Sequence, residues 1–297
     1  MKRRNVMILA ALIAVVTLTS CSKGQASKEV AQTDAVITTP VYVSDVKTGT
    51  IIEYHRFGGT VTAKDSVTIL PDAAGKIASV LVEEGDVVKK DQVIATVDPS
   101  RAGQTYNLSP VKSTLDGTVT SVNASYGDTV SQATPVAIVQ TLDDLEISFN
   151  VIEKFVNIVN KGNKAIVTFD AFPGEEFSAT ITYTSPTLDT NTRSRSVKAK
   201  LDKADDRIIA GMYARLNVIT EEKNNVIVIP YSAVSVTNSG SFVYIIKDGQ
   251  AFKTDVEIGI RQGSDAEVLS GLKVGDKLVT RGQTLLSDGA NVRIINN

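Results

Sequence analysis

The chain has 297 residues, 42% of them hydrophobic and 5% aromatic, and its 31 Lys and Arg face 33 Asp and Glu for a formal net charge of -2. That balance argues against nucleic acid as a partner. A single histidine, His55, and a single cysteine, Cys21, exclude histidine zinc clusters and disulfides within the chain, and leave His55 as the one residue that could serve a Ser-His-Asp triad.

Residues 1–21, MKRRNVMILAALIAVVTLTSC, place Lys2, Arg3 and Arg4 ahead of an apolar stretch from Val6 to Leu18 and small residues leading into Cys21. This is the layout of an export signal, and the apolar stretch is shorter than the roughly 18 residues that span a bilayer. Its LTSC end resembles a lipobox, which implies cleavage after residue 20 and a lipid anchor on Cys21. Loss of the three basic residues leaves 28 against 33 acidic ones, a net charge near -5. Acyl chains contribute about 0.8 kcal/mol per buried methylene, enough for two or three of them to hold a protein on a membrane. Residues 21–39 are small and polar after the cysteine and suit a flexible tether.

From Val41 onward the chain reads as short strands. Alternation marks VYVSDV, TVTAKDSVTIL, LEISFNV, FSATITY, SVKAKL, ARLNVI, NVIVIP and SFVYIIKDG, separated by Gly, Asn, Asp and Pro. Residues 151–162, VIEKFVNIVNKG, have helical spacing, with Val151, Phe155, Ile158 and Val159 on one side and Gly162 placed as a stop. The expectation is an all-β protein with one short helix.

Within the strands the chain repeats itself. Residues 75–98 and 117–140 align without a gap, and eight of the 24 positions are identical, including Gly85/Gly127 and Asp86/Asp128. Chance gives about one or two. Each copy reads as strand, turn, strand, with the Gly-Asp step at the reversal, and two such hairpins are expected to pack as a pseudo-symmetric sandwich.

Catalysis has little to work with. The acidic pairs Asp143-Asp144 and Asp205-Asp206 lie in loop-like polar stretches, without the contrasting environments that separate an acid from a base. His55, in IIEYHRFGG, reads as a strand surface residue. No Gly-rich phosphate loop precedes a helix, and Met212 is the one methionine after the signal. No cofactor, metal or enzymatic activity is expected.

Both repeat copies resemble the half-motifs of the biotinyl/lipoyl domain. Acyl-carrying subunits and the periplasmic adaptors of the HlyD-like, or membrane fusion protein, family use that module. A carrier joins the halves by a tight turn with a lysine at its apex. Here the connector is PSRAGQTYNLSPVKSTLD, residues 99–116, with its one lysine, Lys112, beside the second half. The flanks are similar to adaptors from about Val41 to Ile295. They include Pro173-Gly174, Pro186, Asp189 and Thr192-Arg193-Ser194 in a barrel-like segment and LSGLKVGDKLVTRGQTLLSDGANVRI near the end. IIAGMYARLNV is similar to the usual Pro-Gly-Met barrel ending, with Ala210 where Pro is common.

The resemblance implies an elongated multi-domain adaptor whose parts are nested: a membrane-proximal β-domain from residues 40–50 and 225–297, a β-barrel from 51–69 and 141–224, and a lipoyl-like β-sandwich from 70–98 and 117–140. Residues 99–116 stand where adaptors carry a long coiled-coil hairpin. Folded back on themselves, these 18 residues reach at most about 30 Å, which places the chain with a hairpin-less subset. The implied function is the lipid-anchored periplasmic adaptor of a tripartite efflux pump. It would link an inner-membrane transporter of the resistance-nodulation-division (RND) class to an outer-membrane channel, as a homo-oligomeric ring held to the membrane by Cys21. An ATP-driven (ABC-type) exporter is the alternative transporter, and a structural envelope lipoprotein the alternative from another class. If the ring meets its channel through the lipoyl tip, Arg101, Gln104, Tyr106 and Lys112 are the candidate contacts. For each taken singly, a solvated loop residue is the plainer reading.

Overall fold

The computed structural model describes residues 38–100 and 103–295. The export signal, Cys21 and Arg101 therefore lie outside the described residues. Those residues form strands and three short 3-10 turns, with no α-helix among them. Three strands lead out from the N-terminal side: β1 (Thr39–Asp45), β2 (Lys47–Ala63) and β3 (Ser66–Ile69).

Seven strands complete the sandwich that β3 enters: β4 (Gly75–Val80), β5 (Val87–Val88), β6 (Val93–Asp98), β7 (Ser109–Lys112), β8 (Gly117–Val122), β9 (Thr129–Val130) and β10 (Ala137–Gln140). One sheet runs β3-β10-β8-β5 and the other β7-β6-β4-β9. Within each copy the outer strands pair antiparallel as expected, β4 with β6 and β8 with β10, but the reversal is not a tight hairpin at the Gly-Asp step. After Gly85-Asp86 the chain crosses to the other sheet, so β5 pairs with β8 of the second copy, and β9 reciprocally pairs with β4 of the first. Two separate hairpins would each keep an open edge and half a core, whereas exchange closes both sheets over one interior.

That interior is built in pairs. The buried side chains are Ile69/Val111, Ile77/Val119, Val82/Ala124, Val88/Val130, Ile94/Val136, Ala95/Ala137 and Val97/Val139, each second member 42 residues after the first. The repeat therefore begins earlier than its identities do. β3 and β7 are its first strands, each on the outside of its sheet. The second half of the expected connector is thus part of the sandwich. Val111 and Ser113 are buried there, and the free loop shrinks to residues 99–108.

Beyond the sandwich come β11 (Leu145–Ile152), β12 (Lys164–Phe169), β13 (Phe177–Thr184), β14 (Ser194–Leu201) and β15 (Tyr213–Pro230). With β2 they run in the order β12-β13-β14-β11-β2-β15, and a β12–β15 ladder closes the ring into a six-stranded antiparallel barrel. Alternating residues fill it, among them Val61, Ile147, Phe149, Val167, Ile181, Leu216 and Val218. The helix expected over residues 151–162 is absent. Val151 and Ile152 still pair with β14, and only Glu153–Phe155 turn as a 3-10 helix. Asn160 and Asn163 bond this stretch locally, Asn163 Oδ1 accepting from the Asn160 N–H at 2.6 Å. Such side chains compete with helical backbone bonds, and a segment this short has no reserve against them. Its apolar spacing serves the barrel all the same, since Val159 is buried and Phe155 packs on the core.

The C-terminal body contains β16 (Ser235–Thr237), β17 (Gly240–Lys247), β18 (Gln250–Gln262), β19 (Asp265–Ser270), β20 (Lys277–Arg281) and β21 (Ala290–Ile295). β1 inserts between β20 and β21, antiparallel to the first and parallel to the second. β2 and β15 run paired from Lys47↔Val228 to Thr60↔Tyr213, so one long ladder passes from this body into the barrel. Two bulges interrupt it, at Ile219/Glu221 and Lys223/Val226. Beside the second, the buried Glu267 accepts from Lys223 Nζ at 3.0 Å and from the Ile260 N–H at 2.9 Å.

Candidate docking surfaces

The repeated Gly-Asp steps are docking devices within the fold. Gly85 and Gly127 have φ of 97° and 87°, with open space where a Cβ would stand. Asp86 Oδ2 accepts from the Glu83 N–H at 2.8 Å, and Asp128 Oδ2 from the Ser125 N–H at 2.8 Å. Each turn then clips a strand of the other copy. Gly85 N–H donates to the Val119 carbonyl and Val119 N–H to the Asp86 carbonyl, while Gly127 and Asp128 hold Ile77 the same way. A third such clip went unnoticed in the sequence: Gly275, φ 92°, and Asp276 hold Val46 with the same two bonds, and Asp276 Oδ2 accepts from Lys273 N–H. The shared Gly-Asp step followed by alternating apolar residues is the signal that could have found it.

At the sandwich tip residues 103–108 are exposed, and they are tied back to Ser100. Ser100 Oγ accepts from the Tyr106 N–H at 3.0 Å, and the Tyr106 hydroxyl donates to Gln104 Oε1 at 3.1 Å. Asp98 accepts from Ser100, which holds its carboxyl below the usual range. Tyr106 and Leu108 present 54% and 53% of their surface to solvent. The structure thus brings Gln104 and Tyr106 together, whereas Lys112 lies on β7, exposed but paired with Val93 in the sheet. An aromatic ring, an amide and an apolar side chain on a short loop offer stacking and hydrogen bonding.

Elsewhere some of the charged groups form ion pairs. Asp144 receives bonds from Lys200 and Lys64, which keep its carboxyl low, and Arg207 holds Asp205 at about 2. Every carboxylate with a resolved shift among the described residues moves downward, the opposite of what a general acid needs. His55 lies on β2 with its ring 4.5 Å from that of Phe155 and Nε2 3.7 Å from the Glu53 carboxylate. No group of three or more His, Cys, Asp or Glu is placed to hold a metal among the described residues. None of their helices is long and apolar enough to cross a membrane. The acidic pairs prove less isolated than their loops suggested, since Asp143, Asp205 and Asp206 line one cavity at the end of the barrel.

A sandwich of exchanged half-motifs, a closed six-stranded barrel and a C-terminal β-body threaded by β1 define a nested all-β architecture. Family models match it end to end: "YknX, barrel-sandwich hybrid domain" over residues 67–141, "CusB-like, beta-barrel domain" over 147–222 and "YknX, C-terminal permuted SH3-like domain" over 226–294. The chain is 21% identical to the Multidrug resistance protein MdtA of Xenorhabdus bovienii, over 99% of this chain and 93% of that protein. Its fold matches MacA from Actinobacillus actinomycetemcomitans with a TM-score of 0.66 at 20% identity, covering 80% of this chain and 98% of that one. ZneB from Cupriavidus metallidurans matches with a TM-score of 0.53 at 22% identity, covering 84% and 94%. The chain belongs to the membrane fusion protein family of periplasmic adaptors, in a form without a helical hairpin among its described residues.

Proposed function

We propose that this protein is the adaptor of a tripartite efflux pump, joining an inner-membrane RND transporter to an outer-membrane channel so that toxic compounds leave the cell. The observation that carries the reading is the succession of three adaptor-type family matches between residues 67 and 294, whose barrel model bears the RND name. A relative alignable over nearly the whole chain, named for multidrug resistance, supports the export role. In this reading Cys21 carries the lipid that holds the protein to the membrane, several copies form a ring, and the loop of residues 99–108 meets the channel. The barrel and the C-terminal body face the transporter.

The test is crosslinking in intact envelopes with a tagged chain, followed by identification of what is captured. Recovery of an RND transporter is the expected result. An ATP-driven permease in its place would move the protein to the other pump class, and capture of no transporter would overturn the reading. Replacing Arg101, Gln104 and Tyr106 together with Ala should leave protein level and transporter capture intact and abolish resistance. Cys21→Ser should remove incorporation of labelled fatty acid.

A further inference from the structure

Residues 141–144 leave β10 for β11, and residues 202–212 return from β14 to β15. Between these two crossings, at one end of the barrel, lies a cavity of about 520 Å³. Leu142, Leu145, Leu201, Ile208 and Ile209 give it apolar walls. Ile208 is buried in the barrel core, while Leu142 and Ile209 are 39% and 60% exposed. A concave apolar space of this size suits a small organic molecule rather than a protein face.

Its charge selects among such molecules. Four carboxylates line the space, those of Asp143, Asp202, Asp205 and Asp206, against the single ammonium of Lys200. Three of these five groups are held in ion pairs outside the space or along its rim, Lys200 sharing its carboxylate with Lys64. Lys200 reaches Asp144 at 2.6 Å, Asp202 is 3.3 Å from Lys164, and Asp205 is 2.7 Å from Arg207. Asp143 and Asp206 take part in no ion pair among the described residues. They come from different crossings and line the same space. Both are exposed, and two unpaired negative charges at the mouth of an apolar space favour a cation there over an anion.

We propose that this cavity binds lipophilic organic cations, with the apolar body against the Leu142, Leu201 and Ile209 side chains and the positive charge held by Asp143 and Asp206. A neutral molecule of the same shape would gain only the apolar burial, and an anion would lose against the carboxylates.

Tetraphenylphosphonium and tetraphenylborate have nearly the same shape and opposite charge, so equilibrium dialysis of the purified full chain against each isolates the electrostatic selection. The expected result is saturable tetraphenylphosphonium binding, about tenfold or more tighter than tetraphenylborate, falling about tenfold in the Asp143→Asn/Asp206→Asn double variant. Ala204→Trp, which fills the space, should abolish it. Hydrogen exchange on the unmodified chain supplies a readout independent of the variants' folding: bound cation should slow exchange at residues 142–145 and 202–212. Borate binding as tight as phosphonium, unchanged affinity in the double variant, or protection confined to other segments would each overturn the proposal. The measurement needs no transporter or channel, so it stands apart from the pump assignment.

Discussion

The sandwich and the C-terminal body solve the same problem, a small β-structure with little interior, by different means. In the sandwich, seven buried pairs repeat at one offset, and each turn clips the opposite copy. Symmetry supplies the missing half of each core. The C-terminal body has no such repeat across its strands. It borrows β1 from far upstream and is continuous with the barrel through β2 and β15, where the buried Glu267 bridges the bulged strand to β18 and β19. Both use Gly-Asp clips at positive φ, two in the sandwich and one at Gly275-Asp276 holding Val46; the sandwich adds symmetry to them, and the C-terminal body adds a buried carboxylate shared among strands.

The largest effect should therefore come from Glu267. Glu267→Ala takes from Lys223 the nearer of its two carboxylates, leaving Glu221 at 3.5 Å, and leaves the Ile260 N–H unsatisfied inside the body, at a cost of about 3 kcal/mol. Hydrogen exchange should show the loss in β18, β19 and the Lys223 bulge, with the sandwich unchanged. Loss of protection in the sandwich as well would mean that the two regions are not independent.

Next come two glycines that allow close approach. A Cβ on Gly75 would stand 2.1 Å from the Asp98 carbonyl oxygen, and one on Gly117 2.5 Å from that of Gln140, the same contact 42 residues on. Gly75→Ala and Gly117→Ala should each cost about 2 kcal/mol by forcing strands apart. Denaturant unfolding should give the two variants similar losses if pseudo-symmetry governs the core; a neutral result at either would break it.

Turn glycines should matter less, because their surroundings are open. Gly85→Ala and Gly127→Ala meet no neighbouring atoms and carry only the strain of positive φ, about 1 kcal/mol each. Asp86→Asn keeps an oxygen for the Glu83 N–H and should be milder still. The ranking of close-approach over turn glycines can be read by thermal melts of the four single variants.

The smallest effect concerns pH. Arg207 depresses Asp205 from 3.8 to about 2, so the pair's contribution is present above about pH 4 and is lost as pH falls toward 2. Both partners are on the surface, so the consequence is local. Carbon NMR of the Asp205 carboxyl should give a midpoint near 2, moving back toward 3.8 in Arg207→Gln.

The sequence by itself determined the class of structure and the repeat. Period-two alternation and Gly, Asn, Asp and Pro breaks depend on neighbours in the chain, and they marked strands such as LEISFNV and SFVYIIKDG without reference to partners. Gly85 and Gly127 were legible because a positive φ is a local demand. Which strand pairs with which was not local, and only the tertiary structure decided it. The exchange of β5 and β9, the place of β7 inside the sandwich and the Glu267–Lys223 contact depend on residues tens of positions apart. At residues 151–162 helical spacing arose where β11 ends and a turn covers the barrel, because burial on a curved surface can be met by more than one backbone. Asp143 and Asp206 looked like ordinary loop acids for the same reason. Their meeting at one apolar cavity exists only once the barrel has closed and set the two crossings side by side.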